Sequence, residues 1–423
     1  MKKLIAAVLC LLMVVSVFAS GSSESASKSG VQTIEVFTRF SDGATKNYFE
    51  EVANAFMAEN PDIKVVLSSA NNANYKQEIN VRLASNSSPD IYFAWSGCYA
   101  GNFVEGGRAL DLTPYLNADN ASWYNSFITN QFGPFTFNGK IYGIPLMMDG
   151  KAFYYNKDIF TELGLTAPEN WDEFMVVLET LKNSKYIPIS LGNIEDWATG
   201  HYMTTLNQRV VPADVLAADY ALEGDFTAPE YVEALNYLEK LVPYFTPEFN
   251  SVTYDGGIND FLSGKAAIYY EQFNQVQYIA PATFEWSWFD FPDIIGAAGD
   301  QNALTGAPQG LMVSSSTKYP EACVKFLQYL TNLENGSKLV KEAMMFSCVD
   351  GAITTETATE KMALMAETIK AASSVNLWLD NATDSEVCAV YLSGIQAMVG
   401  GDMTAEEVMK AVQQKAAQVK ADK

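Results

Sequence analysis

The sequence predicts an α/β fold in which mostly parallel sheets are flanked by helices. Three observations predict it. Short runs alternate apolar and polar residues at period two, and between them apolar residues recur at helical spacing. Clusters of Pro, Gly, Asn and Asp end one element before the next begins. Of 423 residues, 48% are hydrophobic and only 18% charged, enough to bury a sizeable core. At roughly 150 residues per domain, a chain of this length holds two or three domains.

The elements follow in order. Thr33 to Thr38 alternates and reads as a first strand, and Ser41-Asp42-Gly43 is a turn. Tyr48, Val52, Ala55 and Phe56 mark a helix that Asn60-Pro61-Asp62 stops. Ile63 to Leu67 is a second strand, Tyr75 to Ala84 a helix, and Ile91 to Trp95 a third strand behind Pro89-Asp90. Strand, helix, strand, helix, strand is the rhythm of a parallel sheet. Ligands in such sheets bind beyond the carboxyl ends of the strands. That places Thr38 to Asp42, Ser68 to Asn72 and Trp95-Ser96-Gly97 on one rim. Farther on, Asp172 to Lys182 and Ala228 to Val242 are amphipathic helices, the second through Val232, Leu235, Leu238 and Leu241. Pro320 opens a helix with the stripe Cys323, Phe326, Leu327 and Leu330. Thr404 to Glu407 fits a capping box ahead of a helix to Val419.

The N-terminus reads as an export signal over residues 1–19. Lys2 and Lys3 precede the apolar stretch Leu4 to Phe18, and Val17-Phe18-Ala19 forms a cleavage site before Ser20. The stretch is shorter than the roughly 20 residues of a membrane span. Lipidation at Cys10 is the alternative, but Leu9 stands where a small residue is wanted and the apolar run continues past it. Residues 20–30 are rich in Ser and Gly and read as a flexible tether. Cys98, Cys323, Cys348 and Cys388 are widely spaced, and the sequence leaves open whether they pair or stay thiols.

Acids outnumber bases 50 to 27, a net charge of −23, which argues against nucleic acid or an anionic membrane surface as partner. A single histidine, His201, gives no basis for a His-built metal site or relay. There is no Walker A loop, no G-x-G-x-x-G after a strand, no EF-hand and no G-x-S-x-G elbow. No cofactor and no metal are therefore expected. A neutral or weakly charged ligand fits this balance.

Six segments in order carry a resemblance over nearly all the chain beyond the leader. They are Asn80 to Ile91, Gly107 to Tyr115, Phe137 to Pro145 with Asp149 and Tyr154 to Phe160, Gly164 to Phe174, Phe261 to Ile268, and Gly310 to Ala322. Together they resemble the bacterial extracellular solute-binding proteins of family 1, which serve sugar ABC importers. The resemblance implies a two-lobed, periplasmic-binding-protein-like type II fold with a hinge of chain crossovers. By analogy lobe one covers 31–148 plus 291–335, and lobe two 151–288 plus 338–423. It further implies a sugar or oligosaccharide ligand, an ABC permease as membrane partner, a periplasmic or extracytoplasmic location, a monomer and no enzymatic activity. A secreted carbohydrate-active hydrolase, or an adapter that docks on a membrane receptor, are the alternatives.

Sugars present apolar C–H faces and a rim of hydroxyls, so aromatic rings and carboxylate, amide or guanidinium groups are what such a site needs. The candidates are residues of those types at strand ends and crossovers. They comprise Arg39, Asp42, Asn71, Asn72, Trp95 and Ser96 on the first rim, and Asp149 at the first crossover. In lobe two they are Asp196 and Trp197, with Glu195 beside them, then Glu271 and Gln272 after an apolar run. Gln309 stands between glycines where many members of the family carry a tryptophan, and Trp378 and Asp380 lie in a C-terminal loop. His201, one helical turn from Trp197, reads as structural or exposed.

Overall fold

A computed structural model describes residues 30–422 apart from Asn86. The expected export signal, Cys10 and the tether as far as residue 29 lie outside the described residues. Among the described residues nine strands build two sheets: β1 Gln32–Thr38, β2 Ile63–Ser69, β3 Ile91–Trp95, β4 Gly143–Met147, β5 Lys151–Asn156, β6 Ile187–Ser190, β7 Ala266–Gln272, β8 Trp286–Phe289 and β9 Gln309–Val313. The first sheet has the order β2-β1-β3-β9-β4 and the second β8-β5-β7-β6. Each sheet has its own core and flanking helices, giving two lobes. Ile34, Val36, Phe93 and Leu311 pack with Phe56 and Phe326 in the first. Phe153, Ile268 and Tyr270 pack with Phe174, Leu238 and Val408 in the second.

Local patterning accounts for most elements. The alternation of β1 buries Ile34 and Val36 on one face of the strand. Helix Gly43–Glu59 buries Tyr48, Val52 and Phe56 as expected, but Ala53 rather than Ala55 completes its stripe. Helix Trp171–Lys182 starts on Asn170, whose side chain accepts from the Glu173 amide. The capping box forms in both directions: the Thr404 amide donates to Glu407 Oε2 at 2.9 Å and the Glu407 amide to Thr404 Oγ1 at 3.3 Å. The helix it opens, Ala405–Asp422, runs beyond Val419.

In each sheet one strand opposes the rest. β9 is antiparallel to both β3 and β4, and β5 is antiparallel to both β7 and β8. The reason is where the chain enters. β4 runs out to Met147, the link Met148-Asp149-Gly150 crosses between sheets, and β5 begins at that same edge. A strand that starts at the edge where its neighbours end must run the other way. β9 likewise starts at that edge, with Gln309 opposite the terminal Trp95.

The cores also assign segments differently from the analogy-based boundaries. Leu339, Val340 and Ala343, expected in lobe two, pack in the first core. Phe291 and Ile294, expected in lobe one, pack in the second. The apolar stripe of helix Leu333–Ala343 lies against helix Gly43–Glu59, and periodicity alone does not say which sheet a stripe will face.

Cys323, Cys348 and Cys388 are buried thiols, and Cys388 is pushed up to about 12 by burial. No helix among the described residues is long and apolar enough to cross a membrane.

Candidate functional site

The ends of β3, β4 and β7 and the starts of β5 and β9 converge on one region, and most of the candidate residues meet there. On the first sheet, Gln309 is fully buried and stands opposite both Trp95 and Met147. A register shift between Gln309 and Gly310 re-aims its side chain, as bulges at sheet ends do. Arg39 Nη2 donates to Gln309 Oε1 at 2.9 Å, and Gln309 Nε2 donates to Asp149 Oδ2 at 3.1 Å. Asp149 Oδ1 accepts from the amides of Gly150 at 2.9 Å and Asn274 at 3.2 Å. This chain of hydrogen bonds has one polarity, from guanidinium through amide to carboxylate. Burial pushes the Asp149 carboxyl up to about 7, against hydrogen bonds from Asn274 and Gly150 that lower it. Burial likewise lowers the Arg39 guanidinium, which stacks on Phe40 at 4.6 Å and Phe93 at 5.1 Å.

The second sheet contributes a buried charged network. Lys151 begins β5, and its Nζ lies 2.8 Å from His201 Nδ1 and 3.7 Å from Glu271 Oε1. Glu271 Oε2 accepts from the Tyr269 hydroxyl at 2.9 Å. Burial, then the Lys151 and Lys76 charges, hold His201 well below its usual range, so its ring is neutral. A neutral ring accepts the Lys151 hydrogen bond at Nδ1 and carries its proton on Nε2, which faces Asp380 Oδ1 at 3.9 Å. The Trp378 ring lies 4.5 Å from that ring, and Trp197 packs on it at 5.0 Å and on Tyr254 at 4.9 Å.

One ion pair reaches across the region. Lys76, on the helix Asn72–Ala84 of the first lobe, meets Asp380 Oδ2 at 2.9 Å, with Nζ 5.0 Å from the Trp95 ring. Asp380 sits on a short helix, Leu379–Ala382, whose Leu379 is buried in the second core.

The structure places the other expected residues elsewhere. Asn71 is a helix cap: its side chain accepts from the Asn74 amide, and it and Asn72 are exposed. Asp42 is exposed at the start of helix Gly43–Glu59 and makes no side-chain cap bond. Glu195 receives the Tyr254 amide at 3.0 Å, which fixes the loop under Trp197. Asp196 precedes helix Trp197–Val210, its carboxyl raised by burial and by the Asp380 charge. Gln272 lies at the end of β7, where its amide donates to Glu271 Oε1 at 2.8 Å. His201, read as structural or exposed, is buried and central to the network. Lys76, Lys151, Tyr254 and Asn274 were not singled out, although a lysine opening an otherwise apolar strand at Lys151 was the one legible signal.

Many polar atoms here lack partners. Arg39 Nε, Ser96 Oγ, Tyr99 Oη, Trp378 Nε1, Asp380 Oδ1, Asn381 Oδ1 and Thr383 Oγ1 are buried and make no hydrogen bond. Among the described residues only Tyr202, Gln208 and Arg209 add to that set. An unsatisfied buried polar atom costs roughly 1–3 kcal/mol, so a cluster of them marks a place built for a polar guest. The cavity between Lys151, Gly192, Trp197, Tyr254, Tyr269 and Glu271 holds about 10 Å³, room for about one water.

Comparison with known proteins gives the context. The family model for bacterial extracellular solute-binding proteins matches residues 42–336. The multiple sugar-binding protein of Streptococcus mutans is 27% identical over 331 residues, 73% of each chain. A chitin oligosaccharide binding protein of known structure superposes with a TM-score of 0.84 at 23% identity, covering 92% of this chain and 99% of that one. A structure from work on xylan utilization by Caldanaerobius polysaccharolyticus superposes with a TM-score of 0.85 at 24% identity, covering 90% and 99%. With a family match over most of its length and the same two-lobed fold, the chain belongs to the bacterial extracellular solute-binding proteins.

Proposed function

We propose that this protein captures a sugar between its two lobes, outside the cytoplasmic membrane, and hands it unchanged to the permease of an ABC importer. The observation that carries this reading is the cluster of unsatisfied buried polar atoms beside Trp95, Trp197 and Trp378. Donors and acceptors next to aromatic faces suit hydroxyls next to C–H faces. The names of the relatives, several of them sugar-binding proteins, point the same way. The lysines of the site each meet a carboxylate, Lys76 with Asp380 and Lys151 with Glu271, which favours a neutral ligand. A space for about one water holds no sugar ring, so the ligand is taken up with the lobes parted further than they are here. Ligand binding favours closure only by as much as it prefers the closed state.

A thermal-shift screen against mono- and oligosaccharides, with amino acids and polyamines as controls, tests the reading. A saccharide at a hundredfold excess over its dissociation constant is expected to stabilise the protein by about 2.7 kcal/mol. The sugar is expected to be recovered intact. Breakdown of the sugar would replace capture by hydrolysis, and a shift with a control compound alone would replace the ligand class. Trp197→Ala, which removes one ring from the site, is expected to weaken saccharide binding by about 10- to 100-fold, read by isothermal titration calorimetry.

A further inference from the structure

The two lobes meet in a contact that shuts the site, and from it we propose that Lys76 is a latch. It is a cation of the first lobe that holds a carboxylate of the second and must release it before a ligand enters. The inference rests on the capture reading above. The space beside Trp197 and Glu271 holds about 10 Å³, whereas pockets for small organic ligands run to about 300–1,000 Å³. In this arrangement the site admits no sugar ring, so a contact that holds the lobes together opposes uptake. Among the described residues, Lys76–Asp380 at 2.9 Å is the one ion pair between the lobes.

Each half of the latch is anchored in its own lobe. Lys76 lies on helix Asn72–Ala84, whose Tyr75, Ile79 and Leu83 are buried in the first core. Its Nζ stands 5.0 Å from the Trp95 ring and 5.4 Å from the Tyr99 ring, which hold it at the rim. Asp380 follows Leu379, which is buried in the second core. The Leu379 amide donates to Thr204 Oγ1 at 2.9 Å, and its carbonyl accepts from Cys388 Sγ at 3.0 Å. A second carboxylate stands near: burial and the Asp380 charge raise Asp196, and Lys76 lowers it. Parting the lobes takes the cation away from both acids. The backbone makes the same contact. A Cβ on Gly97, at φ +72°, would stand 2.7 Å from the Asn381 carbonyl oxygen and from Leu377, so rim and partner touch with no side chain between them. The Lys76 side chain is 39% exposed, so the pair is modest in strength and open to screening by salt. A modest pair suits a latch, because uptake is slowed only by the fraction of molecules held shut.

The test compares wild type with Lys76→Met, which removes the charge, and Lys76→Arg, which keeps it. Small-angle X-ray scattering without added saccharide is expected to give Lys76→Met a larger radius of gyration than wild type, with Lys76→Arg matching wild type. Raising salt from about 0.05 M to about 1 M is expected to expand wild type and to leave Lys76→Met unchanged, because the variant has no pair to screen. Uptake is followed by stopped-flow tryptophan fluorescence, with the saccharide that gives the largest shift in the thermal screen. Association is expected to be about two- to fivefold faster in Lys76→Met. Loss of a ligand contact would instead appear in the dissociation rate. Equal radii for wild type and Lys76→Met at low salt overturn the latch, and so does an association rate that is unchanged or slower. An expanded Lys76→Met, with no saccharide bound by either protein, overturns the capture reading and leaves the latch between the lobes standing.

Discussion

Replacing Lys151 by methionine is expected to destabilise the protein by about 3–5 kcal/mol, seen as a lower urea midpoint. The side chain is 2% exposed, so its ammonium is held almost wholly by protein. Its partners are His201 Nδ1 at 2.8 Å, Glu271 Oε1 at 3.7 Å and the face of Tyr270 at 4.9 Å. Methionine keeps most of the volume, so the expected loss is electrostatic and not a cavity effect. Without the lysine, the buried Glu271 carboxylate keeps the Tyr269 hydroxyl and the Gln272 amide but loses its cation. His201 loses the donor at Nδ1. Adding Glu271→Gln removes the stranded charge, so the double variant is expected to recover at least half of the loss. A single variant within about 1 kcal/mol of wild type would show that the pair contributes nothing.

The second large effect concerns pH. The Asp149 carboxyl titrates near 7 in the folded protein and near 3.8 when unfolded. Between those values the folded state holds a proton that the unfolded state has released. Stability from this group is therefore full below about 3.8 and falls as pH rises, until it levels off above about 7. At 1.36 kcal/mol per unit, the fall between pH 5.5 and 7 amounts to about 2 kcal/mol. Asp149→Asn abolishes this slope. It also breaks the polarity of the hydrogen-bond chain, because an Asn amide nitrogen would face Gln309 Nε2, and Gln309 cannot turn over without facing Arg39 with a donor. That second effect costs roughly 1–3 kcal/mol at every pH. The variant is thus expected to lose most at pH 5.5 and to gain on wild type by about 2 kcal/mol by pH 7.5, in denaturation curves at both pH values. Parallel pH dependence in the two proteins would refute the raised carboxyl.

Much of this was written in local pattern. The three N-terminal strands, the helices at 172–182 and 320–330, and the capping box at Thr404 stand where period and cap residues put them. That Trp95, Asp149, Trp197 and Glu271 come together was legible because ends of strands and crossovers gather at one edge of a sheet. The same logic misplaced Asn71 and Asn72. An Asn after a strand is equally suited to cap the next helix, and here it does.

What the sequence determined by itself is which segments are strands and helices, which of their faces are apolar, and, through six ordered segments, the family of the whole. These depend on residues only a few positions apart, so they can be read along the chain. Tertiary structure alone decided which sheet each helix covers, why β5 and β9 run against their neighbours, and which charges meet. Lys76 and Asp380 are 304 positions apart, and Arg39 and Gln309 are 270. His201 changed from a bystander to a centre because β5 delivers Lys151 to its Nδ1. Such meetings depend on how whole sheets are placed against each other, and periodicity along a chain carries no information about that placement.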